Sequence, residues 1–189
     1  MLLMRTIIST IALLTLLIIS TVCLAQVHQW TLVNGKACLQ SVILVPERDA
    51  AYLYKQANRW LVNTFKNPED ILKARIESEY LRGEAYHSNV FKSGALNPVD
   101  FQYTFTLDVK DGKVRLTFSH GLLFHDVLYD NGQDHNGVYP IELYMENVNK
   151  RKKDQHSEDL LASVNTLSTS LLKSLETFLV SEYAKKDDW

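Results

Sequence analysis

The feature that most constrains the fold is a pair of alternating segments in residues 101–120, joined by Asp111-Gly112. Apolar and polar side chains alternate in both segments, which is typical of strands with one buried face. Asp-Gly suits the positive φ angles of a two-residue type I′ turn, so the loop fixes the register of a hairpin. One surface then carries the pairs Val109 with Val114, Leu107 with Leu116, Phe105 with Phe118 and Tyr103 with His120. The other surface is polar, which predicts an antiparallel sheet with helices covering its apolar side.

A strand and a helix are predicted ahead of this hairpin. Residues 40–45 include a continuous, mostly β-branched apolar run, which indicates a central strand. Asp49 then occupies the position of a helix N-cap. Apolar residues recur at three- and four-residue spacing through residues 50–65, and Asn67-Pro68 is the predicted stop.

A second hairpin is predicted in residues 71–91, where the period changes to two around a turn near Ser78. Gly83 interrupts the second of these strands. A glycine inside a strand indicates close approach of another element, which we expect to be the helix that carries Trp60.

The carboxyl-terminal third gives weaker signals. Residues 130–137 are predicted to form a polar loop and residues 139–144 a short edge strand. A last helix is expected at about residues 157–185, with Ser157 as its N-cap and acidic residues in its first turn.

Residues 1–25 have the pattern of a cleavable signal peptide. Arg5 precedes an apolar stretch, and Cys23-Leu24-Ala25 is a site of small residues that would leave Gln26 as the new amino terminus. Two alternatives remain open, an uncleaved anchor of membrane-spanning length and lipidation of Cys23. We therefore expect an exported protein with a single α+β domain in residues 26–189, periplasmic or secreted, and membrane-anchored only in those two alternatives.

Charge and cysteine content exclude several classes of protein. The net charge of −2 argues against nucleic acid as a partner, because phosphate binding needs a concentrated positive surface. Cys38 would stand alone after cleavage, so no internal disulfide is expected. We interpret Cys38 as a small residue on or beside the first strand, with a catalytic or intermolecular thiol as the alternative.

Residues 42–126 resemble a bacterial secreted family known only as a domain of unknown function with a TATA-binding-protein-like (TBP-like) fold. The resemblance rests on the strand of Val42 to Val45, the central Gly83, the hairpin around Asp111-Gly112 and several helix residues. Those helix residues are Tyr54, Trp60, Leu61 and Phe65. The resemblance implies a β-α-β-β-β-β-α unit, with a curved antiparallel sheet and two helices on one face. It brings no catalytic residue, and the long connection of residues 127–156 departs from the family pattern.

Three histidines and several aspartates in residues 120–136 are candidates for a metal or catalytic site. His120, His125, Asp126 and His135 are the residues that a small hydrolase or metal-dependent enzyme would use. Their spacing matches no known metal motif. Asp130, Asp134 and Asn136 could donate oxygen atoms to calcium, but the segment lacks the glycine and the final glutamate of the usual loop.

We therefore assign no catalytic, cofactor-binding or metal-binding residue and expect no cofactor. The sequence favours a non-enzymatic binding or structural module of the bacterial envelope. Its expected partner is an unidentified protein or envelope ligand, bound by the exposed face of the sheet or by the groove beside the long connection. The alternative is the enzyme built on the histidine region.

Overall fold

A computed structural model describes residues 28–92, 98–128, 134–150 and 154–184. The predicted signal peptide, with Cys23, lies outside the described residues. The elements are β1 Thr31–Val33, β2 Lys36–Leu44, α1 Ala50–Thr64, α2 Pro68–Ile71, β3 Leu72–Ile76, β4 Tyr80–Phe91, β5 Val99–Lys110, β6 Lys113–Leu128, β7 Asp134–Pro140, α3 Ile141–Lys150 and α4 Gln155–Ala184.

The strands of the described part form one antiparallel sheet in the order β1-β2-β6-β5-β4-β3. The long strand β6 organises it. Its first half pairs with β2 through Ser119, and its second half pairs with β7 from Leu122 onward, while β5 lies along its other side. The helices pack on one side of this sheet, which confirms the predicted α+β class.

The central hairpin confirms most of the predicted register. The pairs that join Val109 to Val114, Leu107 to Leu116 and Phe105 to Phe118 are present. The predicted pair of Tyr103 with His120 is wrong, because Gln102 pairs with Leu122 and two residues of β6 therefore face one of β5. This β-bulge gives His120 a φ of 52°.

The turn of this hairpin also differs from the predicted type I′ turn. Gly112 has a φ of 72°, but Asp111 does not have a positive φ. The connection between β2 and α1 explains the difference. The Gly112 amide donates to the Arg48 carbonyl at 2.8 Å, and the Ala50 amide donates to Asp111 Oδ1 at 2.8 Å. The turn therefore also fixes the start of α1.

Helix α1 begins where predicted and ends earlier. Asp49 Oδ1 accepts from the Tyr52 amide at 2.7 Å, which confirms the N-cap. The helix stops at Thr64, with Phe65 in an extended conformation, and Pro68 begins the short helix α2 instead of ending α1. Proline is favoured in the first helical turn because no intrahelical partner is lost there.

The second hairpin is confirmed as β3 and β4, with Ser78 at a φ of 64° in the turn. The neighbour predicted for Gly83 is wrong. A Cβ atom built on Gly83 would collide with the ring of Phe105, which is its partner on β5, and would lie 2.9 Å from the Ile71 carbonyl oxygen. The close approach therefore comes from the adjacent strand and from the end of α2.

The connection before the last helix differs most from prediction. The predicted loop at residues 130–137 is strand from Asp134 onward, and Asp130 lies outside the described residues. The predicted edge strand at residues 139–144 is wrong beyond Pro140, because Ile141 and Tyr144 lie on the buried side of α3. The alternation of Tyr139, Ile141 and Leu143 resembles a short strand, whereas the spacing of three between Ile141 and Tyr144 suits one face of a helix.

Helix α4 begins two residues before the predicted start. Asp154 precedes it and accepts from the Ser157 amide at 3.3 Å, so Asp154 and not Ser157 caps the helix. Ser157 is buried in the first turn and donates from Oγ to Asp154 Oδ2 at 2.8 Å. Both are capping residue types, and only the three-dimensional structure distinguishes them.

Two buried tryptophans show how α4 docks on the sheet. Trp30 Nε1 donates to Ser168 Oγ at 3.0 Å, and Trp60 Nε1 donates to Ser174 Oγ at 3.1 Å. Both indole rings lie in the core, at 4% and 3% exposure. Each ring thus packs its apolar body in the core while its one donor is satisfied by α4. None of the described helices is long and apolar enough to cross a membrane.

Candidate functional site

The sheet has one face without a helix in the described part of the chain, which we call the open face. It carries the alternate residues that point away from the core. Among them are Gln40, Val42, Leu44, Arg82, Glu84, Tyr86, Asp100, Gln102, Thr106, Asp108, Arg115, Thr117, Leu122, Phe124 and Val138. The hairpin register predicted such a polar surface, and the structure adds apolar residues to it.

Large apolar side chains of the open face remain accessible at both ends. Val42 and Leu44 are 49% and 68% exposed at the β2 side. Tyr86 and Val138 are 55% and 54% exposed, and the Tyr86 ring contacts that of Phe124 with centroids 5.7 Å apart. Single exposed apolar residues are common on protein surfaces, but several on one helix-free face mark a candidate contact surface.

Polar groups between these apolar ends are held in place by cross-strand contacts. Arg115 Nη2 lies 2.9 Å from Asp108 Oδ2, and Gln40 Nε2 donates to Thr117 Oγ1 at 3.2 Å. Asp100 accepts hydrogen bonds from the Tyr86 hydroxyl and, on Oδ1 at 2.7 Å, from the Asn89 amide. The open face therefore presents side chains that are already ordered before any partner binds.

A cluster of aromatic and imidazole rings lies on the helix-covered face of the sheet, where β6 and β7 meet α3 and α4. His125 of β6 stacks on Tyr144 of α3 with ring centroids 5.7 Å apart, and its Nε2 lies 2.7 Å from the Tyr144 hydroxyl. Tyr139 and His156 complete the contacts, with centroids 5.8 Å and 6.3 Å from that of His125. We call these four residues the histidine cluster.

Burial determines the charge states of this cluster. The pKa of His125 is lowered from its usual value, first by burial and second by the nearby His156. Burial, with Tyr139 and Asp154 nearby, raises the pKa of Tyr144 to about 12. At neutral pH, His125 is therefore neutral and Tyr144 retains its proton.

Of the four residues that an enzyme site would use, the structure describes the side chains of His120 and His125, and these two lie in different surroundings. His120 contacts Ser119, with Nδ1 and Oγ 3.0 Å apart, whereas His125 belongs to the histidine cluster. The side chains of Asp126 and His135 lie outside the described part. Within the described residues, no three His, Cys, Asp or Glu side chains could hold a metal ion. Asp130, Asp134 and Asn136, which were considered as oxygen donors to calcium, also have no described side chains.

The structure also contains a buried ring pair and a cleft that the sequence did not predict. His87 stacks on Tyr103 with centroids 5.7 Å apart, and its Nε2 lies 3.0 Å from the Tyr103 hydroxyl. Burial lowers the pKa of His87 and raises that of Tyr103. A cleft of about 920 Å³ lies between α1 and β3, and both basic and acidic side chains line it, including Lys55, Arg75 and Glu77. Neither feature has a local sequence signal, because residues from separate elements form each one.

Comparisons with known proteins agree with the fold. The chain is similar to a crystal structure of a DUF4468 family protein from Bacteroides ovatus, at 15% identity and a TM-score of 0.64, over 87% of this chain and 95% of that one. It is also similar to a TBP-like protein from Parabacteroides distasonis, at 11% identity and a TM-score of 0.58, over 77% of this chain and 96% of that one. No curated protein matches the chain.

These likenesses extend the shared architecture beyond the central hairpins, although identities this low establish the fold alone. A family model matches a shorter part of the chain, and it does so by sequence. Residues 40–120 match the domain of unknown function (DUF4468) with TBP-like fold, which confirms the resemblance carried by Gly83 and the Asp111-Gly112 hairpin. Residues 40–120 are thus similar to the DUF4468 family model, and the chain shares the TBP-like fold.

Proposed function

We propose that the protein is an exported, non-enzymatic binding module of the bacterial envelope and that the open face is its contact surface. One observation carries this proposal. The helices cover only one side of the sheet, while the described part of the other side keeps Val42, Leu44, Tyr86 and Val138 about half exposed or more. Such a face gains free energy when a partner covers it.

The composition of the open face supports a protein or another mixed polar and apolar ligand. Its apolar ends would supply the buried core of an interface, and ordered polar groups such as Arg115 and Asp108 would supply hydrogen bonds. Acidic and basic groups occur together on it, which does not favour a polyanion.

A pair of valines offers a matched test. Val42 on the open face and Val180 on α4 are 49% and 50% exposed. Covering the exposed half of a valine contributes about 1 kcal/mol, and an ammonium group buried in its place carries a further penalty. We therefore expect Val42→Lys to weaken partner binding roughly tenfold or more, and Val180→Lys to leave it unchanged.

The assay is affinity capture from envelope extracts of a bacterium that makes the protein, with wild type and both variants as bait. Thermal unfolding first establishes that the variants are folded. A captured species that is lost with Val42→Lys and kept with Val180→Lys supports the open face. Equal loss with both variants, equal retention with both, or no captured species contradicts the proposal.

Export is the second part of the proposal and rests on the pattern of residues 1–25. Amino-terminal sequencing of the protein isolated from bacterial cells is expected to begin at Gln26. An intact Met1 would indicate a retained anchor, and a lipid on Cys23 would indicate a lipoprotein. Either result would replace a free periplasmic or secreted module with an anchored one.

A further inference from the structure

We propose that the histidine cluster, His125, Tyr139, Tyr144 and His156, is an acid-sensitive latch that holds α3 and the start of α4 against the sheet. Its four members come from β6, β7, α3 and α4, so this one group of rings ties together four elements. The inference concerns a conformational change and does not depend on the proposed binding function.

The packing makes the cluster a real junction between elements. Tyr144 lies on the buried side of α3 and stacks almost parallel on His125, at an interplanar angle of 6°. The ring of His156, in the first turn of α4, also contacts Phe91 of β4, with centroids 5.4 Å apart. The start of α4 is thereby attached to the sheet through His156, while Asp154 caps the helix itself.

Protonation of His125 would destabilise this junction. A neutral imidazole can accept a hydrogen bond from the Tyr144 hydroxyl, whereas an imidazolium has only donors, so the hydroxyl would have to turn and accept. The new charge would be half-buried and would lie beside His156, which repels it when it is charged as well. Both effects favour separation of the rings.

The groups that face His125 offset this charge less than burial and His156 oppose it. Tyr144 retains its proton because its pKa is raised, and Tyr139 offers a phenol and not a carboxylate, so neither supplies a counter-charge. Phe91 contributes no charge. Asp154, next to the cluster at the start of α4, shares its carboxylate with the amide and the hydroxyl of Ser157. Because the pKa of His125 is lowered in the folded protein, its surroundings disfavour the imidazolium.

The lowered pKa of His125 determines the sign of the pH dependence. The unfolded or detached state binds a proton at the ordinary pKa of histidine, about 6.5, and the latched state binds it only at lower pH. The latch is therefore fully stable above about pH 6.5 and weakens as the pH falls toward the lowered pKa of His125. For one proton, the opening constant rises by at most about tenfold per pH unit in this window.

Amide hydrogen exchange measured by mass spectrometry tests the proposal on the full protein. Opening constants, corrected for the pH dependence of intrinsic exchange, are compared between about pH 7.5 and about pH 5. We expect them to rise at low pH in α3 and the first turns of α4, and to change less in the hairpin around Gly112. Opening constants in α3 and α4 that do not change with pH would overturn the latch.

Substitutions test which residues cause the pH dependence of exchange in α3 and α4. His125→Gln and His156→Gln are both expected to reduce the pH dependence of exchange in α3 and α4, and His156→Gln serves if His125→Gln does not fold. His120→Gln is the matched control, since His120 lies on the same strand, contacts Ser119 and is not a member of the histidine cluster. A wild-type pH dependence in His156→Gln, or an equal loss in His120→Gln, would contradict the proposal.

Discussion

Replacing Gly83 with alanine tests how the sheet and α2 pack together. The added Cβ would collide with the Phe105 ring, at 2.6 Å from Cε1, and would lie 2.9 Å from the Ile71 carbonyl oxygen. The ring cannot move aside easily, because Phe105 is 2% exposed and stacks on Phe65 with centroids 5.8 Å apart. The carbonyl belongs to the backbone and is equally restrained.

The expected size of the effect combines two opposing terms. Overpacking a well-packed core costs about 1–3 kcal/mol, and replacing glycine by alanine in a strand returns about 0.5–1 kcal/mol. We expect Gly83→Ala to lower the free energy of unfolding by about 1–2 kcal/mol. Urea denaturation, with the midpoint and the slope fitted separately, measures this change.

The mechanism can be separated from general damage to the protein with a second substitution. Phe105→Leu removes the ring edge that meets the new methyl group, so Gly83→Ala should cost less in the Phe105→Leu background. A coupling of about 0.5 kcal/mol or more is expected for residues in direct contact. A neutral Gly83→Ala, or the same cost in both backgrounds, would refute the explanation of why glycine stands there.

Three further predictions concern stability. Asp49→Ala should lower the free energy of unfolding by about 1 kcal/mol through loss of the α1 N-cap, and equilibrium denaturation would detect it; an unchanged value would show that the cap is replaced by water. Ser168→Ala should destabilise by about 1–3 kcal/mol because it leaves the buried indole N–H of Trp30 without a partner, whereas no loss in the same assay would argue against that hydrogen bond. His87→Gln should make global stability less sensitive to acid. Burial lowers the pKa of His87, so the wild-type protein loses stability as the pH falls below about 6.5. Denaturation curves of the variant that match wild type across this pH range would contradict the prediction.

The parts of the fold with strong local patterns could be predicted from the sequence. The alternation on both sides of Asp111-Gly112 gave the register of the central hairpin as far as Thr104 and Ser119. Asp49 gave the start of α1 because its cap hydrogen bond is made within one turn of helix. Such features depend on residues close together in the chain.

Features that depend on distant contacts could not be predicted. The bulge at His120 inserts one residue, so the buried positions of β6 change from the even-numbered Phe118 to the odd-numbered Leu123. Residues 122–124 are all apolar, so the local pattern does not mark this change. The short segment of residues 139–144 contains both a strand-like alternation and the helical spacing of Ile141 and Tyr144, and burial of these two residues selects the helix. His125 was singled out from the sequence, but its partners were sought among nearby histidines, whereas the structure pairs it with Tyr144 and His156.

Site-specific photo-crosslinking in living bacteria tests most directly whether the open face binds a partner. The crosslinking amino acid would replace Gln40 or Glu84 on the open face, or Lys173 on α4, all of which are exposed. We predict that the same partner is crosslinked from Gln40 and Glu84 and not from Lys173. Crosslinks from Lys173 alone, or from none of the three positions, would contradict the open face as the contact surface.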